Sequence, residues 1–361
     1  MRPRAIHQFH PSLAPRDAVS NHVFALRELF RGWGYPSEAY AIEAKPEVPA
    51  GVRPYRRLFR EASADDLLML HFSIGSEAFD KLANLPAQQA LVYHNVTPSA
   101  FFEGVNPHAA LHTRKGRAQL HALAKKIPFA IGVSEFNRRE LGAAGFARTA
   151  AVPILIDWSR YDVPPDERVL ARWRGPHTNI LFVGRISPNK RQDELVRLLA
   201  YTRACVDPSA RLFLVGAHRD QPQYHARVSA LAAELGLADA VIFTGSVSDA
   251  ELAAYYGVAS VFVSLSEHEG FAMPVLEAFR FGVPVIALDA GAVGETAGGA
   301  ALLLREKDVP LFGETIALLR ERPALRERLV SAGQRRLRDY SADKVAERMR
   351  AALELGVPLA A

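Results

Sequence analysis

Five short apolar runs in the second half of the chain recur at intervals of roughly 20–30 residues, a spacing typical of strands separated by helices. They are NILFVG (179–184), RLFLVG (211–216), VIFTG (241–245), VFVSL (261–265) and PVIAL (284–288). Between them lie helical patterns such as RQDELVRLLAYTRA (191–204) and YHARVSALAAELG (224–236). Continuous apolar strands alternating with amphipathic helices leave few options besides a parallel sheet covered on both faces. The first half repeats the theme with AIHQF (5–9), DLLMLHF (66–72), ALVYHN (90–95), FAIGV (129–133) and AAVPI (150–154) as strands. Its clearest helices are HVFALRELFRGWG (22–34) and EFNRRELGAAG (135–145). The expected class is α/β, with two Rossmann-like, doubly wound domains. Their boundary falls in LIDWSRYDVPPDERV (155–169), where paired prolines and charges interrupt the periodicity. We expect domains over 1–158 and 159–340, then a segment 341–361 that begins with a serine-capped helix and ends in an Ala-rich tail. Two such domains facing each other would direct the carboxyl ends of both sheets onto one cleft, where ligands of open α/β sheets bind.

A length of 361 residues agrees with two cores. The single cysteine, Cys205, excludes an internal disulfide framework and suits a reducing compartment; its place in an apolar-periodic helix assigns it to the core. No apolar run approaches the ~20 residues of a membrane-spanning helix. The basic start, MRPRAIHQFHPSLAPRDAVSN, lacks a continuous apolar segment, so a cytoplasmic location is expected. Residues 1–158 carry 19 Lys and Arg against 14 Asp and Glu, while residues 159–361 carry 25 of each. The whole positive surplus therefore lies in the first half, which suits an anionic lipid surface at the inner membrane face or a phosphorylated acceptor. The basic helix HTRKGRAQLHALAKK (112–126) has an apolar side and fits a membrane surface; an ordinary solvated basic face explains it equally. Nucleic acid is not among the expected partners.

The chemistry concentrates in SLSEHEGFAMPVLEAFRFGVPVI (264–286), where Glu269 and Glu277 stand eight positions apart. An apolar strand breaks into a polar turn and restarts as a helix with Pro274 in its first turn, where a missing N–H costs nothing. A helix N-terminus at a strand end is a natural anion site. Carboxylates beside such a site suit hydroxyls better than phosphate, and the combination points to a nucleotide-sugar. In FVGRISPNKRQDELV (182–196), Gly184 allows a tight turn, and Arg185 and Lys190 are two cations suited to a diphosphate and to the charge on a departing one. In FTGSVSDAELAAYY (243–256), Gly245 and Val247 follow a strand, with Ser248 or Asp249 as helix cap and the backbone suited to a nucleobase edge. Each of these residues also has an ordinary structural explanation: Glu277 favours a helix start, and the cations could simply be solvated.

Taken together, VGRISPNKRQDELV, GSVSDAELAAYY and SEHEGFAMPVLEAFRFGVPVIAL resemble, in order and spacing, the retaining GT-B glycosyltransferases of family 4, the group 1 glycosyl transferases. The resemblance implies a GT-B fold and transfer of a hexose, mannose or glucose, from a UDP- or GDP-sugar to a glycan or lipid-linked acceptor in polysaccharide assembly. The second domain would hold the donor and the first the acceptor, with the terminal helix crossing back to the first. Arg185 and Lys190 would contact the diphosphate. Glu269 with the backbone of Gly270, Phe271 and Ala272 would hold the sugar, and Glu277 the ribose. His94, in YHNVTP, would lie close to sugar and acceptor, with His71 a second candidate. Catalytic work would fall to His94, Arg185, Lys190 and Glu269. No metal or other cofactor is expected, in keeping with the lack of any Asp-x-Asp. Four departures stand out. Ala272 and Arg191 occupy positions where the family commonly has glycine, Met273 stands where leucine is common, and the loop PSLAPRDAVSN (11–21) lacks the frequent Gly-Gly pair, leaving Arg16, Asp17 and Asn21 as polar acceptor-side candidates. An epimerase or hydrolase of the same fold and a non-catalytic nucleotide-sugar binder remain alternatives. A dinucleotide oxidoreductase is disfavoured because no G-x-G-x-x-G follows a strand.

Overall fold

The computed structural model describes residues 3–357; the Ala-rich tail, and with it the end of the 341–361 segment, lies outside the described residues. The chain divides into two compact units. One comprises residues 3–100, 108–157 and 339–357, the other 101–107 and 158–338.

The first unit contains strands β1 (Ile6–Phe9), β2 (Ser12–Leu13), β3 (Ala39–Ala41), β4 (Glu43–Ala44), β5 (Arg53–Pro54), β6 (Leu67–Phe72), β7 (Gln88–Tyr93), β8 (Phe129–Gly132) and β9 (Arg148–Ala151). Seven of them form a parallel sheet in the order β5-β3-β1-β6-β7-β8-β9, and β2 pairs with β4. The order reverses between β1 and β6, which makes that gap the switch point of this sheet. Phe9, Leu68, Leu70, Phe72, Leu91 and Tyr93 face a buried core shared with the covering helices. Strand β9 ends earlier than its apolar pattern suggests. Val152 still donates to the Gly132 carbonyl at 2.9 Å, but Pro153 has no N–H with which to continue. The terminal helix Ala342–Gly356 lies against β8 and β9, and Gly356 sits so close to Phe129 that a Cβ there would meet the ring at 2.1 Å. Ser341 occupies the cap position, but its side chain makes no capping hydrogen bond, contrary to the expected serine cap.

The second unit holds β10 (Asn179–Val183), β11 (Arg211–Val215), β12 (Val241–Gly245), β13 (Val261–Ser264), β14 (Val285–Leu288) and β15 (Leu302–Leu304). All pair in parallel in the order β12-β11-β10-β13-β14-β15, the doubly wound arrangement, with its switch point between β10 and β13. Helix Gln192–Cys205 covers this sheet with Leu195, Val196, Leu198 and Leu199. Cys205 is not in the core as its periodicity suggested: it is the last residue of that helix and is exposed. Among the described residues, no helix is long and apolar enough to cross a membrane.

Candidate functional site

The loops that follow β10 and β13 flank the switch point of the second sheet, and they are stitched together. The Asn189 carboxamide accepts from the Ser187 hydroxyl at 2.8 Å and donates to the His268 carbonyl at 3.2 Å. The Asn189 carbonyl in turn accepts from the Glu267 amide at 2.9 Å. This frame sets Lys190 Nζ 2.6 Å from Glu269 Oε2, with both side chains largely shielded from solvent. Two residues chosen from separate motifs, 79 positions apart, thus meet as one ion pair. Arg185 does not join them: its Nη1 donates to Asp220 Oδ2 at 3.1 Å on an exposed edge.

Gly184 and Gly245 are brought together through a residue that the motifs did not single out. Gly216 donates its N–H to the Gly245 carbonyl at 3.0 Å, and a Cβ on Gly216 would fall 2.1 Å from the Gly184 carbonyl oxygen. Three strand ends therefore converge backbone to backbone. Val247 is half-buried next to Ser248, which caps its helix in a reciprocal box with Glu251.

Helix Met273–Arg280 begins at Ala272, whose φ of +64° is left-handed, with Pro274 in its first turn. Phe271 is buried, and its carbonyl accepts from the Thr296 hydroxyl. Gly270 lies in the same turn, between Glu269 and Phe271. Glu277 is only 7% exposed, and both of its oxygens are engaged: Oε1 accepts from Tyr161 at 2.5 Å and Oε2 from Tyr256 at 2.9 Å. Burial pushes its carboxyl up, against the two phenol hydrogen bonds and the nearby charge of Arg160. Each oxygen keeps a second lone pair for a ligand hydroxyl. Neither tyrosine was legible as a partner, because Tyr161 lies in the irregular boundary segment and Tyr256 at the end of a helix pattern.

In the first unit, Asp17 caps helix Ala18–Gly32, its Oδ2 accepting from the Ser20 amide and hydroxyl at 2.8 Å each. Arg16 is exposed, and Asn21 is half-buried on that helix. His71 is fully buried in β6, so it is no surface contact. Its Nδ1 lies 3.0 Å from Nε2 of His94, which follows β7. His22, which belongs to no sequence motif, packs edge-on against both rings.

The departures from glycine have a common backbone signature. Arg16, Arg191 and Ala272 have φ of +59°, +53° and +64°, so the chain keeps a glycine-type conformation with a side chain present. Arg191 offsets the strain with ion pairs to Asp193, Glu194 and Glu267. Exposed Arg16 has no comparable burial to lose. The left-handed region costs an L-residue ~1–2 kcal/mol, and glycine returns ~0.5–1 kcal/mol of that as chain entropy. Arg16→Gly should therefore raise stability by about 0.5–1 kcal/mol in denaturant unfolding, and a loss of stability would refute the strain.

Two doubly wound parallel sheets, the second with a cation–carboxylate pair at its switch point, define a GT-B protein. HepE from Anabaena, crystallised with UDP and glucose, superposes with a TM-score of 0.75 at 18% identity, covering 97% of this chain and 99% of that one. Residues 168–336, within the second unit, match the model of the family described as glycosyl transferases group 1. The D-inositol 3-phosphate glycosyltransferase of Thermomonospora curvata is 33% identical over 177 residues, which is 47% of this chain and 41% of that protein. The GDP-mannose-dependent alpha-(1-6)-phosphatidylinositol monomannoside mannosyltransferase of Mycobacterium tuberculosis is likewise 33% identical over 177 residues, 45% of this chain and 44% of its own length. The matched segment thus spans less than half of either relative.

Proposed function

We propose that this chain is a retaining hexosyltransferase that moves a sugar from a nucleotide-sugar to a hydroxyl of a glycan or lipid-linked acceptor. The observation that carries this reading is the Lys190–Glu269 pair, 2.6 Å apart at the switch point where α/β sheets bind nucleotides. A bound donor would divide the pair: the diphosphate takes the ammonium, and the sugar hydroxyls donate to the carboxylate. Arg185 would turn from exposed Asp220 to the same diphosphate, so leaving-group charge is met by two cations and no metal is invoked there. Substitution occurs on one face of the sugar. The C1–O bond to the diphosphate breaks as the acceptor oxygen bonds to C1, and the hydroxyl proton passes to the departing phosphate oxygen. Glu277 would receive the ribose hydroxyls on its remaining lone pairs, the backbone at Gly245 and Val247 would face the base, and Gly270, Phe271 and Ala272 would line the sugar.

The first unit is the acceptor side in this reading, with Asp17, Asn21 and His94 as its contacts. Its basic surplus suits a lipid-linked acceptor at the inner membrane face. The relatives' names suggest GDP-mannose, and the HepE complex suggests UDP-glucose. Incubation with UDP-, GDP-, ADP- and dTDP-sugars plus hydroxyl acceptors should give one preferred donor and a product with the donor's anomeric configuration by NMR. Product without acceptor would favour an epimerase or hydrolase, and binding without turnover a silent binder. Glu277→Gln keeps the volume but removes the charge on the hydrogen bonds to ribose. It should raise the Kd for the free nucleotide by about 10-fold or more, the usual worth of a charged hydrogen bond. An unchanged Kd in calorimetry would refute the ribose role.

A further inference from the structure

We infer that His22, His71 and His94 form a binding site for a divalent transition-metal ion, with zinc the best chemical match, at the switch point of the first sheet. Among the described residues this is the one cluster of three potential ligand side chains, and one nitrogen from each ring lies within 4.8 Å of the others. His71 projects from β6 and His94 follows β7, while His22 comes from the helix after β1. The three therefore converge beside the gap between β1 and β6, with His94 arriving from the next strand beyond β6; at such a gap a doubly wound sheet accepts ligands.

Hydrogen bonding around the cluster is incomplete in a telling way. His22 is 1% exposed, and neither of its ring nitrogens has a partner; Nδ1 of His94 has none either. Buried polar atoms are nearly always paired, so these atoms call for unseen partners, and an ion would take one nitrogen of each ring. By contrast, Nε2 of His71 lies 2.8 Å from Gln8 Oε1. A metal-binding histidine characteristically donates its second N–H in this way, which fixes the ring and leaves the other nitrogen, here Nδ1, for the ion. His10 is no fourth ligand, because Ser12 and Ser73 already occupy both of its nitrogens.

The rings are also in the right chemical state. Burial pushes His22 down to about 3, and burial together with the neighbouring histidines holds His71 and His94 well below the ordinary histidine range. Neutral imidazoles are ready ligands. Three imidazoles with no carboxylate suit zinc, which binds nitrogen at ~2.0–2.1 Å with no electronic preference in geometry. Ideal tetrahedral edges are then about 3.3 Å, so the His71 and His94 nitrogens, 3.0 Å apart, would open by a few tenths of an ångström, while the His22 nitrogen starts within 4.8 Å of both. Three neutral ligands leave the ion its full charge and a fourth position, so the remaining ligand would be an anion such as hydroxide or an acceptor oxygen. The ion would lock the ring of His94. It is independent of the donor site, where Arg185 and Lys190 meet the diphosphate.

The test uses the full chain, stripped with chelator and titrated with zinc chloride by calorimetry and with cobalt chloride by visible absorbance. One ion per chain should bind, with the intense absorption of tetrahedral cobalt, and zinc should raise Tm. His22→Leu should weaken zinc binding by about 100-fold or more and abolish the Tm shift, since a direct ligand matters at least as much as an outer one. Gln8→Leu should weaken it by about 10–100-fold, a readout available even if the His22 variant does not fold. His108→Gln/His112→Gln, which removes an exposed histidine pair 3.0 Å apart, should leave the affinity unchanged. No stoichiometric binding to the wild-type chain, or binding lost with the exposed pair and kept in His22→Leu, would overturn the site and leave a hydrogen-bonded histidine cluster only.

Discussion

Lys190→Ala should lower kcat by about 10²–10³-fold at saturating donor, the usual loss when one group that stabilises transition-state charge is removed. The geometry makes this lysine hard to replace. Its side chain is 22% exposed and its ammonium already lies 2.6 Å from Glu269, so the site holds it in place before any donor arrives. Removing it does two things. The departing diphosphate loses a cation, and Glu269 is left as an unpaired carboxylate beside an incoming anion. The second effect should weaken donor binding as well as chemistry, so KM for the donor should rise together with the fall in kcat. Arg185 cannot substitute from its exposed edge, since it lacks the Asn189 frame that sets Lys190. Lys190→Arg should recover only part of the rate, because a planar guanidinium does not reproduce the compact point charge. Circular dichroism and Tm would confirm that the fold persists. Turnover near that of the wild type in Lys190→Ala would sink the assignment.

What the sequence could reveal follows from how each feature is encoded. The second sheet was legible because β10, β11, β13 and β14 are largely buried and read as uninterrupted apolar runs, and edge strand β12, though half-buried beyond Val241, still opens on one. The short strands β2, β4 and β5, two residues each, and half-buried β15 carry no such signal. Lys190 and Glu269 were found through their motifs, but their contact was not, since it depends on Asn189 crossing between loops. Charge type was readable while burial was not: Glu277 reads as an acidic helix start, and only packing shows it closed in by Tyr161 and Tyr256. The histidine cluster shows the same limit more sharply. His22, His71 and His94 lie on three separate elements, so no spacing rule joins them. His22 was invisible because a single histidine within an apolar helix pattern reads as filler.

Gly291 illustrates how a residue with no chemistry of its own can control the site, and Gly291→Ala should cost both stability and turnover. Its φ is +61°, and an added Cβ would lie 2.4 Å from the Glu269 carbonyl oxygen and 2.9 Å from the Glu269 nitrogen. These are backbone atoms, so no side-chain rotation relieves the overlap. The next residue, Ala292, donates its amide to that same carbonyl at 2.9 Å, which presses the two loops together. Left-handed strain of ~1–2 kcal/mol adds to an overpacking cost of ~1–3 kcal/mol, for a total of about 2–5 kcal/mol in chemical denaturation. The turn must shift to fit the methyl, and Glu269 moves with it. A displacement of about 1 Å at a positioned group can cost ~10²-fold in rate, so turnover should fall by about that factor. Gly299→Ala separates strain from displacement: its φ is +80°, but a Cβ there would meet nothing within 4 Å. That variant should lose about 1 kcal/mol of stability and keep its kcat. If Gly291→Ala retained full activity, or if Gly299→Ala lost as much, the backbone of Glu269 would not be what this glycine protects.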